Sequence, residues 1–388
     1  MIKLYDAEKD CCGCTACMSI CPRNAITMVE NERGFEVPII DTTKCNECGW
    51  CQKVCDFKIF RPTSIEPATY AFINKEGRER ETSQSGGVAA ALVSEILSQN
   101  GVVFGSELIN GYEVKHNMEK DAEGCLKFKG SKYVQSSIGN CFTMCKNQLN
   151  NGNIVLFTGT GCQIHGLLKF LEITNTPIDN LYTMDIVCHG TPSYGIWKKY
   201  IKMYDKMGIE IKNVIFRDKS FNGWRESIEK YETADGETFY SRAWANIYYR
   251  RIMFRDSCYN CKYTTPNRKS DITVGDYWGI EKIHPELDDN KGVSLVLVHT
   301  KKGQELFDQI KKKAVVVCTP LQSALQPQLV HPIKKGIEYN YFWKKYNSNP
   351  DKAIKQFFFP SFTTKVVYPL IKKIKFTIRK AKKFAKSH

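Results

Sequence analysis

Two cysteine runs with the same internal spacing occupy the first sixty residues of the 388-residue chain. The first run is Cys11, Cys14, Cys17 and Cys21, and Pro22 follows it. The second run is Cys45, Cys48, Cys51 and Cys55, and Asp56 follows it. Soft thiolate ligands at this spacing are typical of cubane iron–sulfur clusters. The runs therefore predict two metal clusters in a small N-terminal domain.

The repeat also predicts how the ligands divide between the clusters. In a two-cluster ferredoxin, the fourth cysteine of each run binds the cluster of the other run. The expected first set is Cys11, Cys14, Cys17 and Cys55, and the expected second set is Cys45, Cys48, Cys51 and Cys21. Over residues 1–60 the chain resembles a bacterial-type ferredoxin domain with two 4Fe–4S clusters. Asp56 stands where that family usually repeats the proline, which weakens the helix break but removes no ligand.

Zinc and disulfides are the alternatives for so many cysteines. Zinc sites use four ligands in two short pairs, whereas here two runs of four share one spacing. Disulfides require an oxidising compartment, and residues 1–6 lack the apolar stretch of a secretory signal. We therefore expect a cytoplasmic protein whose cysteines bind metal.

Composition limits the remaining classes of protein. The chain is long enough for two or three domains, and its 42 % hydrophobic content allows a sizeable core. No run of about eighteen apolar residues is present, so no spanning helix is expected. The formal net charge is +15, but nine basic and no acidic residues lie from Lys365 onward. Because the excess charge is largely a property of this tail, nucleic-acid binding is not predicted.

Composition shifts along the chain predict its domain boundaries. A linker at 61–67 contains Pro62 and Pro67 and ends the cysteine-rich segment. A larger domain is expected over 68–335, and a basic C-terminal extension over 336–388, amphipathic from about residue 365. Within the first domain, apolar segments at 25–29 and 35–39 flank a turn and predict a hairpin.

The second domain alternates short apolar strands with loops and helices. Strands are expected at 69–73, 102–105, 154–157, 181–187, 270–276 and 294–298, and a helix is expected through Leu171. This alternation predicts a mixed α/β layered fold behind the small α+β ferredoxin domain. Aromatic and basic residues interleave over 240–262, which predicts an amphipathic helix rather than a nucleic-acid surface.

Two loops in this domain are candidates for binding a phosphorylated ligand. The first contains Ser85, Gly86 and Gly87, with Ser85 as the expected cap of a helix that runs to about Ser98. The second loop, expected to enter a strand, contains Gly130, Ser131, Lys132 and Tyr133. Glycines allow close approach of a ligand, and a helix N-terminus favours phosphate. The alternative for the first loop is an ordinary capped core helix.

Four further cysteines, Cys162, Cys188, Cys258 and Cys261, lie in loop contexts. Two of them follow short strands, and the other two form a Cys-x-x-Cys pair, which is a signal for metal or redox chemistry. The alternative for Cys162 or Cys188 alone is a small buried apolar residue. The other five cysteines are interpreted as structural: Cys12, Cys125, Cys141, Cys145 and Cys318.

Six short motifs occur in an order that extends the resemblance to residues 68–330. They are Ser85-Gly86-Gly87, Gly130-Ser131-Lys132-Tyr133, Gly161-Cys162-Gln163, Cys188-His189-Gly190-Thr191-Pro192-Ser193, Cys258-Tyr259-Asn260-Cys261 and Asp271-Ile272-Thr273-Val274-Gly275-Asp276. Together they resemble the family of coenzyme F-420 hydrogenase/dehydrogenase beta subunits. Gly161 departs from the proline that family members often carry before the cysteine.

The resemblance implies FAD held beside a third 4Fe–4S cluster, with Cys162, Cys188, Cys258 and Cys261 as its ligands. It implies an oxidoreductase that passes electrons between the clusters, the flavin and a small-molecule or deazaflavin acceptor. The alternative is a non-catalytic electron-transfer subunit that docks on a partner enzyme. No side chain is assigned as the proton donor, and His189 is expected to support the cluster loop.

The tail from Lys365 onward is predicted to form a basic amphipathic helix with apolar residues on one face. Such a helix suits the surface of an anionic membrane, and the protein would then be peripheral at the inner membrane surface. A solvated tail and a docking helix for an acidic partner are the alternatives.

Overall fold

The computed structural model describes residues 2–359, so the amphipathic tail predicted from Lys365 onward lies outside the described residues. The strands in chain order are β1 (Ile26–Glu30), β2 (Glu36–Ile40), β3 (Ala68–Asn74), β4 (Val102–Ile109), β5 (Glu113–Glu119), β6 (Val155–Thr160), β7 (Leu181–Ile186), β8 (Ile211–Ile215), β9 (Glu229–Thr233), β10 (Thr238–Ser241), β11 (Ile272–Asp276), β12 (Ser294–Val298) and β13 (Ala314–Cys318).

The helices of the first half are α1 (Ala16–Ser19), α2 (Trp50–Lys53), α3 (Asp56–Ile59), α4 (Gly77–Thr82), α5 (Val88–Ser98), α6 (Ala122–Cys125), α7 (Cys141–Asn150) and α8 (Gly161–Ile173). Those of the second half are α9 (Tyr194–Asp205), α10 (Lys219–Asn222), α11 (Ala243–Tyr249), α12 (Ile280–Ile283), α13 (Lys301–Ile310), α14 (Leu321–Ala324), α15 (Pro327–Val330), α16 (Tyr339–Ser348) and α17 (Pro350–Phe358). Short 3₁₀ turns connect some of these elements, including one at Asp256–Asn260.

The large domain is built on an eight-stranded mixed sheet with the order β13-β3-β12-β11-β7-β6-β4-β5. Strands β4, β6, β7 and β11 run parallel, whereas both ends of the sheet are antiparallel. All six predicted strands are therefore confirmed. Because helices and loops cover both faces, most of these strands read as nearly continuous apolar runs.

Alternate residues of the strands feed separate cores on the two faces of the sheet. Phe72 and Val296 pack with α5 and α13 on one face. Their neighbours Ala71 and Leu295 pack on the opposite face with Trp224 and Tyr277. Farther along that sheet, α7 and α8 cover Phe104, Phe157 and their neighbours. The two faces together make a three-layered α/β fold.

The predicted N-terminal hairpin is confirmed, because β1 and β2 pair antiparallel from Ile26–Ile40 to Glu30–Glu36. Its turn packs on the start of α9, where the Ser193 hydroxyl donates to the carbonyl of Arg33 at 2.6 Å. Arg33 itself donates to the carboxylates of Glu8 and Asp256 and to the hydroxyl of Tyr339. These contacts join the N-terminal segment to the loop before Cys258 and to α16.

Two of the local predictions are wrong. Helix α5 begins at Val88 with Gly87 as its N-cap residue at φ 89°, and the Ser85 hydroxyl instead donates to the carbonyl of Val293. The loop after Gly130 enters no strand, and only an isolated bridge joins Lys115 to Ser137. In both places backbone contacts with distant segments replace the local pattern.

The helix expected over 240–262 is much shorter, since α11 covers only Ala243–Tyr249 and Arg251 adopts φ 57°. Trp244, Tyr248 and Phe254 are buried in a core shared with α9, α16 and α17. The aromatic residues of this segment therefore pack inward. The predicted end of the domain at residue 335 falls inside the same core, because Phe342 and Phe357 lie beyond it.

Candidate redox site

A cavity of about 950 Å³ opens at the carboxyl ends of the parallel strands β4, β6, β7 and β11. Thr160 and Asp276 end β6 and β11 in its wall, Cys188 follows the end of β7, and Ser106 lines the cavity from within β4. Ligands of open α/β sheets bind at this edge, because the loops that follow the strands surround a crevice there. The cavity is therefore the candidate functional site of the large domain.

Six of the seven residues predicted to bind a phosphorylated ligand line this cavity: Ser85, Gly87, Gly130, Ser131, Lys132 and Tyr133. Gly86 lies behind the wall, where an added Cβ would come 2.2 Å from the carbonyl oxygen of Phe72. Its N–H donates to the Ser294 hydroxyl at 2.9 Å. Gly86 thus allows the loop to pack against β3 and β12, while Gly87 presents the N-terminus of α5 to the cavity.

Lys132 is partly buried, and desolvation lowers the pKa of its ammonium to about 7. The Nζ atom donates to the carbonyl oxygens of Lys127 and Lys129, at 2.9 and 3.0 Å. No carboxylate within residues 2–359 forms an ion pair with it at 4.0 Å or less. A bound anion would therefore meet an ammonium group that has no carboxylate paired with it in that range.

Arg217 also lines the cavity and was not singled out by the sequence. One of its terminal nitrogens donates to Asp276 at 2.6 Å, and the other donates to the carbonyl of Trp224 at 2.8 Å. Its Nε is buried without a hydrogen-bond partner in the described part of the chain. No local motif marks Arg217, because its partners come from distant segments.

His116 is a second wall residue that sequence reasoning missed. Its Nε2–H donates to the carbonyl of Thr158 at 3.0 Å, and its Nδ1 accepts from the Ser136 hydroxyl at 2.8 Å. Burial lowers its pKa to about 4. His116 is therefore a neutral, fixed group below the carboxyl end of β6.

The structure brings Cys162, Cys188, Cys258 and Cys261 within electrostatic range of one another. Cys162 and Cys188 line the large cavity. The Sγ of Cys188 accepts from the N–H of Gly190 at 3.4 Å, and that of Cys258 accepts from the N–H of Thr191 at 3.3 Å. Backbone donors of this kind stabilise thiolates.

The four thiols differ in acidity. A hydrogen bond with Cys12, against the effect of burial, lowers the pKa of Cys162 to about 7. Burial raises the pKa of Cys188 to about 12 and that of Cys258 to about 11. Burial also raises the pKa of Cys261. Four partly buried thiols in mutual range are suited to act as ligands, since metal binding removes their protons.

The eight cysteines of the N-terminal runs surround two small cavities. Cys11, Cys14, Cys17 and Cys55 line one of them, together with Cys12 and Cys51. Cys21, Cys45, Cys48 and Cys51 line the other. Both groupings include the fourth cysteine of the opposite run, and the division into ligand sets stays a prediction.

Within residues 2–359, no three or more His, Cys, Asp or Glu side chains are arranged to hold a metal ion. An iron–sulfur cubane needs a different arrangement of ligands, because each of its four thiolates binds a separate iron atom. The soft thiol sets described above fit that demand in the type and number of their ligands.

His189 follows Cys188 and faces the cavity. Its Nδ1 accepts a hydrogen bond from the side-chain amide of Gln328 at 2.6 Å, so its proton is on Nε2. Burial, assisted by the charge of Arg251, lowers its pKa to about 4. These contacts orient the ring beside the cysteine loop.

The N-terminal segment contacts the large domain close to these cysteines. An added Cβ at Gly166 of α8 would come 2.9 Å from the Sγ of Cys14. Asp56 is buried and accepts from the Tyr263 hydroxyl at 2.9 Å, so the residue that replaces the expected proline anchors the interface. The first cysteine set therefore lies against the helix that carries Cys162.

Segments of both domains match known protein families. Residues 152–324 match the profile for the C terminus of the beta subunit of coenzyme F420 hydrogenase/dehydrogenase. The chain carries a domain of this family of beta subunits. Residues 10–59 match the 4Fe-4S dicluster domain, which includes all eight cysteines of the two N-terminal runs. Cys162, Cys188, Cys258 and Cys261 lie inside the beta-subunit match, whereas the loops at 85–87 and 130–133 precede it.

Two curated proteins align along most of the chain. The F subunit of F(420)H(2) dehydrogenase from Methanosarcina mazei is 20 % identical over 84 % of this chain and 90 % of its own length. Coenzyme F420-dependent sulfite reductase of Methanocaldococcus jannaschii is 23 % identical over 84 % of this chain and 50 % of its own length. A chain in a structure of the F420-reducing [NiFe] hydrogenase complex from Methanosarcina barkeri gives a TM-score of 0.47 at 16 % identity. The alignment covers 75 % of this chain and 90 % of that one.

These matches bear on the fold and the cofactors predicted from sequence. An N-terminal 4Fe–4S dicluster domain and a large mixed-sheet domain related to beta subunits of oxidoreductases are both present. None of the helices between residues 2 and 359 has the length and apolar character that crossing a bilayer would require.

Proposed function

We propose that the protein is an iron–sulfur flavoprotein oxidoreductase with three 4Fe–4S clusters and FAD. The ferredoxin domain would hold two clusters, and Cys162, Cys188, Cys258 and Cys261 would hold the third. The FAD would occupy the large cavity, with a deazaflavin or another small molecule as the acceptor. The names of the two curated relatives support the deazaflavin.

The observation that carries the proposal is the composition of one cavity wall. Cys162 and Cys188 line the same cavity as the N-terminus of α5 and Lys132. Ligand pockets of about 300–1,000 Å³ are usual for molecules of cofactor size, and this volume lies near the upper end. A cofactor in this cavity would touch the cysteine loops directly.

The wall also suits a flavin chemically. The helix N-terminus and Lys132 would attract phosphate, and the positive charge of Arg217 in the same wall would add to that attraction. A bound flavin exchanges single electrons with iron–sulfur clusters and hydride with organic acceptors. The chain's own side chains would bind, orient and shield it.

Cysteine replacement tests the third cluster. Anaerobic reconstitution of the full chain should give about twelve iron atoms, as three cubanes require. Changing Cys162, Cys188, Cys258 or Cys261 singly to Ser should remove the same spectroscopic signal and about four iron atoms. Cys318→Ser, at an exposed position on β13, is the matched control. A ligand variant that keeps all three signals would exclude that cysteine, and iron near eight in the wild type would exclude the third cluster.

Purification of the protein tests whether it binds a flavin. The cofactor should copurify or rebind, and Gly87→Val should abolish binding because a side chain at φ 89° strains the start of α5. Gly139→Val, at another positive φ with open space around it, is the control. Protein that binds neither FAD nor FMN would refute this part of the proposal.

A non-catalytic electron-transfer subunit is the second candidate. Cys48 is exposed, and Ile39 and Trp50 are exposed on the same N-terminal domain. Such a surface suits contact with a redox partner protein. Purified protein that reduces a deazaflavin with artificial electron donors would favour the enzyme, whereas activity that requires a partner would favour the subunit.

A further inference from the structure

Arg255 is a buried arginine without a carboxylate partner in residues 2–359. The residue is only 3 % exposed. The guanidinium donates to the side-chain oxygen of Gln135 at 2.7 and 3.2 Å and to the backbone carbonyl of Glu36 at 2.8 Å. All of these acceptors are neutral.

The other buried arginines are paired. Arg80 binds Asp289, Arg217 binds Asp276, and Arg268 lies 3.2 Å from Asp185. A buried charge without a counter-charge is strongly unfavourable, so a buried arginine normally has an acid beside it. Among the buried arginines of residues 2–359, Arg255 alone has no carboxylate paired with it.

The acidic groups that sense the charge of Arg255 do not act as its ion-pair partner. The Glu36 carboxyl senses the arginine's charge, but it forms no ion pair with it at 4.0 Å or less. Burial raises the pKa of Glu36, which makes its negative charge less available. Tyr5 also senses Arg255, and burial raises the pKa of its hydroxyl.

Loops that carry cysteines of two ligand sets contact Arg255. An added Cβ at Gly13, inside the first run, would come 2.8 Å from a terminal nitrogen of Arg255. The backbone of Arg255 accepts from the N–H of Cys258 at 2.9 Å and donates to Thr191 at 2.9 Å. Arg255 thus lies between the loop that carries Cys11 and Cys14 and the loops that carry Cys188 and Cys258.

The charge of Arg255 favours the thiolate form of three of these cysteines. Burial raises the pKa of Cys11 and Cys258, and Arg255 opposes it in both. Arg255 also favours the thiolate of Cys162, after the hydrogen bond from Cys12 and against burial. The segments in contact with this buried cation therefore carry predicted ligands of both sets, which the Gly13 and Cys258 contacts place on either side of it.

We propose that Arg255 is the counter-charge shared by the first ferredoxin cluster and the third cluster, and that it raises the reduction potentials of both. The inference rests on the proposed function. A fixed positive charge favours the form with one more electron, because net charge near a cluster sets its potential. The electron comes from the reductant of the titration, and no bond forms or breaks.

An EPR-monitored redox titration of the full-length reconstituted protein tests this role. Arg255→Gln should lower the potentials of two clusters, each by tenfold or more in the one-electron equilibrium, which corresponds to about 59 mV. The cluster held by Cys21, Cys45, Cys48 and Cys51 should not change. Arg250→Gln is the control, since this nearby arginine is partly exposed and already paired with Glu338.

Equal potentials in Arg255→Gln and wild type would overturn the proposal, as would the same fall in Arg250→Gln. Arg255→Lys keeps the charge and should retain most of the wild-type potential. A merely structural role predicts the reverse, with lower thermal stability in both variants and unchanged potentials.

Gln135→Glu provides a variant of nearly equal shape in case Arg255→Gln fails to fold. It supplies the missing carboxylate at the position where Gln135 already accepts from Arg255 at 2.7 Å. Both potentials should then fall while cluster content stays at the wild-type level. Full cluster content without that fall would overturn the proposal. A wild type that lacks the third signal would instead refute the proposed function and leave the prediction for the first cluster testable.

Discussion

Lys132 is the residue for which burial has the clearest chemical consequence. Its pKa of about 7 means that the ammonium loses its proton near neutral pH when no anion is bound. A phosphate would favour the charged form and raise that pKa. Flavin affinity should therefore be greatest below pH 7 and decrease as the pH rises above 7.

Titration of apoprotein with FAD, followed by flavin fluorescence, measures this dependence. Lys132→Met should weaken binding by roughly tenfold or more, the value of a hydrogen bond to a charged group, and should flatten the pH profile. Lys127→Met is the matched control, because that side chain is half exposed and pairs with Glu119. An unchanged profile in Lys132→Met would remove Lys132 from the phosphate site.

At the residue scale, the sequence is most informative where the chemistry is local. The spacing of Cys11 to Cys55 and the loop position of Lys132 were readable, and both lie at the walls of cavities. Arg217 and Arg255 were not recognised as wall or counter-charge residues. Their significance depends on burial and on partners more than fifty residues away in sequence, such as Asp276 and Gln135.

Helix α8 packs closely against the first cysteine run at Gly166, where the helix has no side chain. Gly166 faces Cys14, and an added Cβ would come 2.9 Å from its Sγ and 3.6 Å from the ring of Phe142. Gly166→Val should therefore displace the first cysteine run and destabilise the protein by about 1–3 kcal/mol, the usual cost of overpacking.

Iron content and the spectra of the separate clusters check this prediction. Gly166→Val should lose the signal of the first ferredoxin cluster before the signal of the second. Gly77→Val, at the start of α4 where nothing lies within 4 Å, should leave both signals unchanged. Loss of neither signal would mean that α8 tolerates a side chain at the interface.

Elements were predictable from sequence where one periodic pattern dominates, as in the strands of the large sheet. The start of α5 was not, because the Ser85 hydroxyl is used by the carbonyl of Val293 and Gly87 supplies the cap geometry. Helix α11 ends early because Arg251 adopts φ 57°, which lets Phe254 turn into the core. Tertiary packing decided both boundaries.

The whole molecule holds its cysteine sets at different depths. Cys48 of the second set is exposed, whereas the four large-domain cysteines are partly buried, and Cys162 and Cys261 pack against a core that both domains share. Solvent exposure makes a cluster accessible to oxidants and chelators. Mild oxidation with a chelator present should therefore release iron in phases, with about four atoms lost first.

Mössbauer or EPR spectra of the partly stripped protein identify the cluster that is lost. The first phase should remove the signal that Cys48→Ser also removes. The signal that depends on Cys188 should persist longest. Simultaneous loss of all signals would show that depth does not protect the inner sets.

The position of β3 has a consequence for how the chain is made on the ribosome. This strand is the first of the large sheet to be synthesised, yet its neighbours are β12 and β13, which are the last. The edge of β3 that pairs with β12 stays open until residue 298 has emerged, and the edge that pairs with β13 stays open until residue 318 has emerged. The contact between Arg33 and Tyr339 forms later still. The N-terminal domain is thus translated well before the surface that covers it, which leaves its cysteines open to iron–sulfur delivery during synthesis.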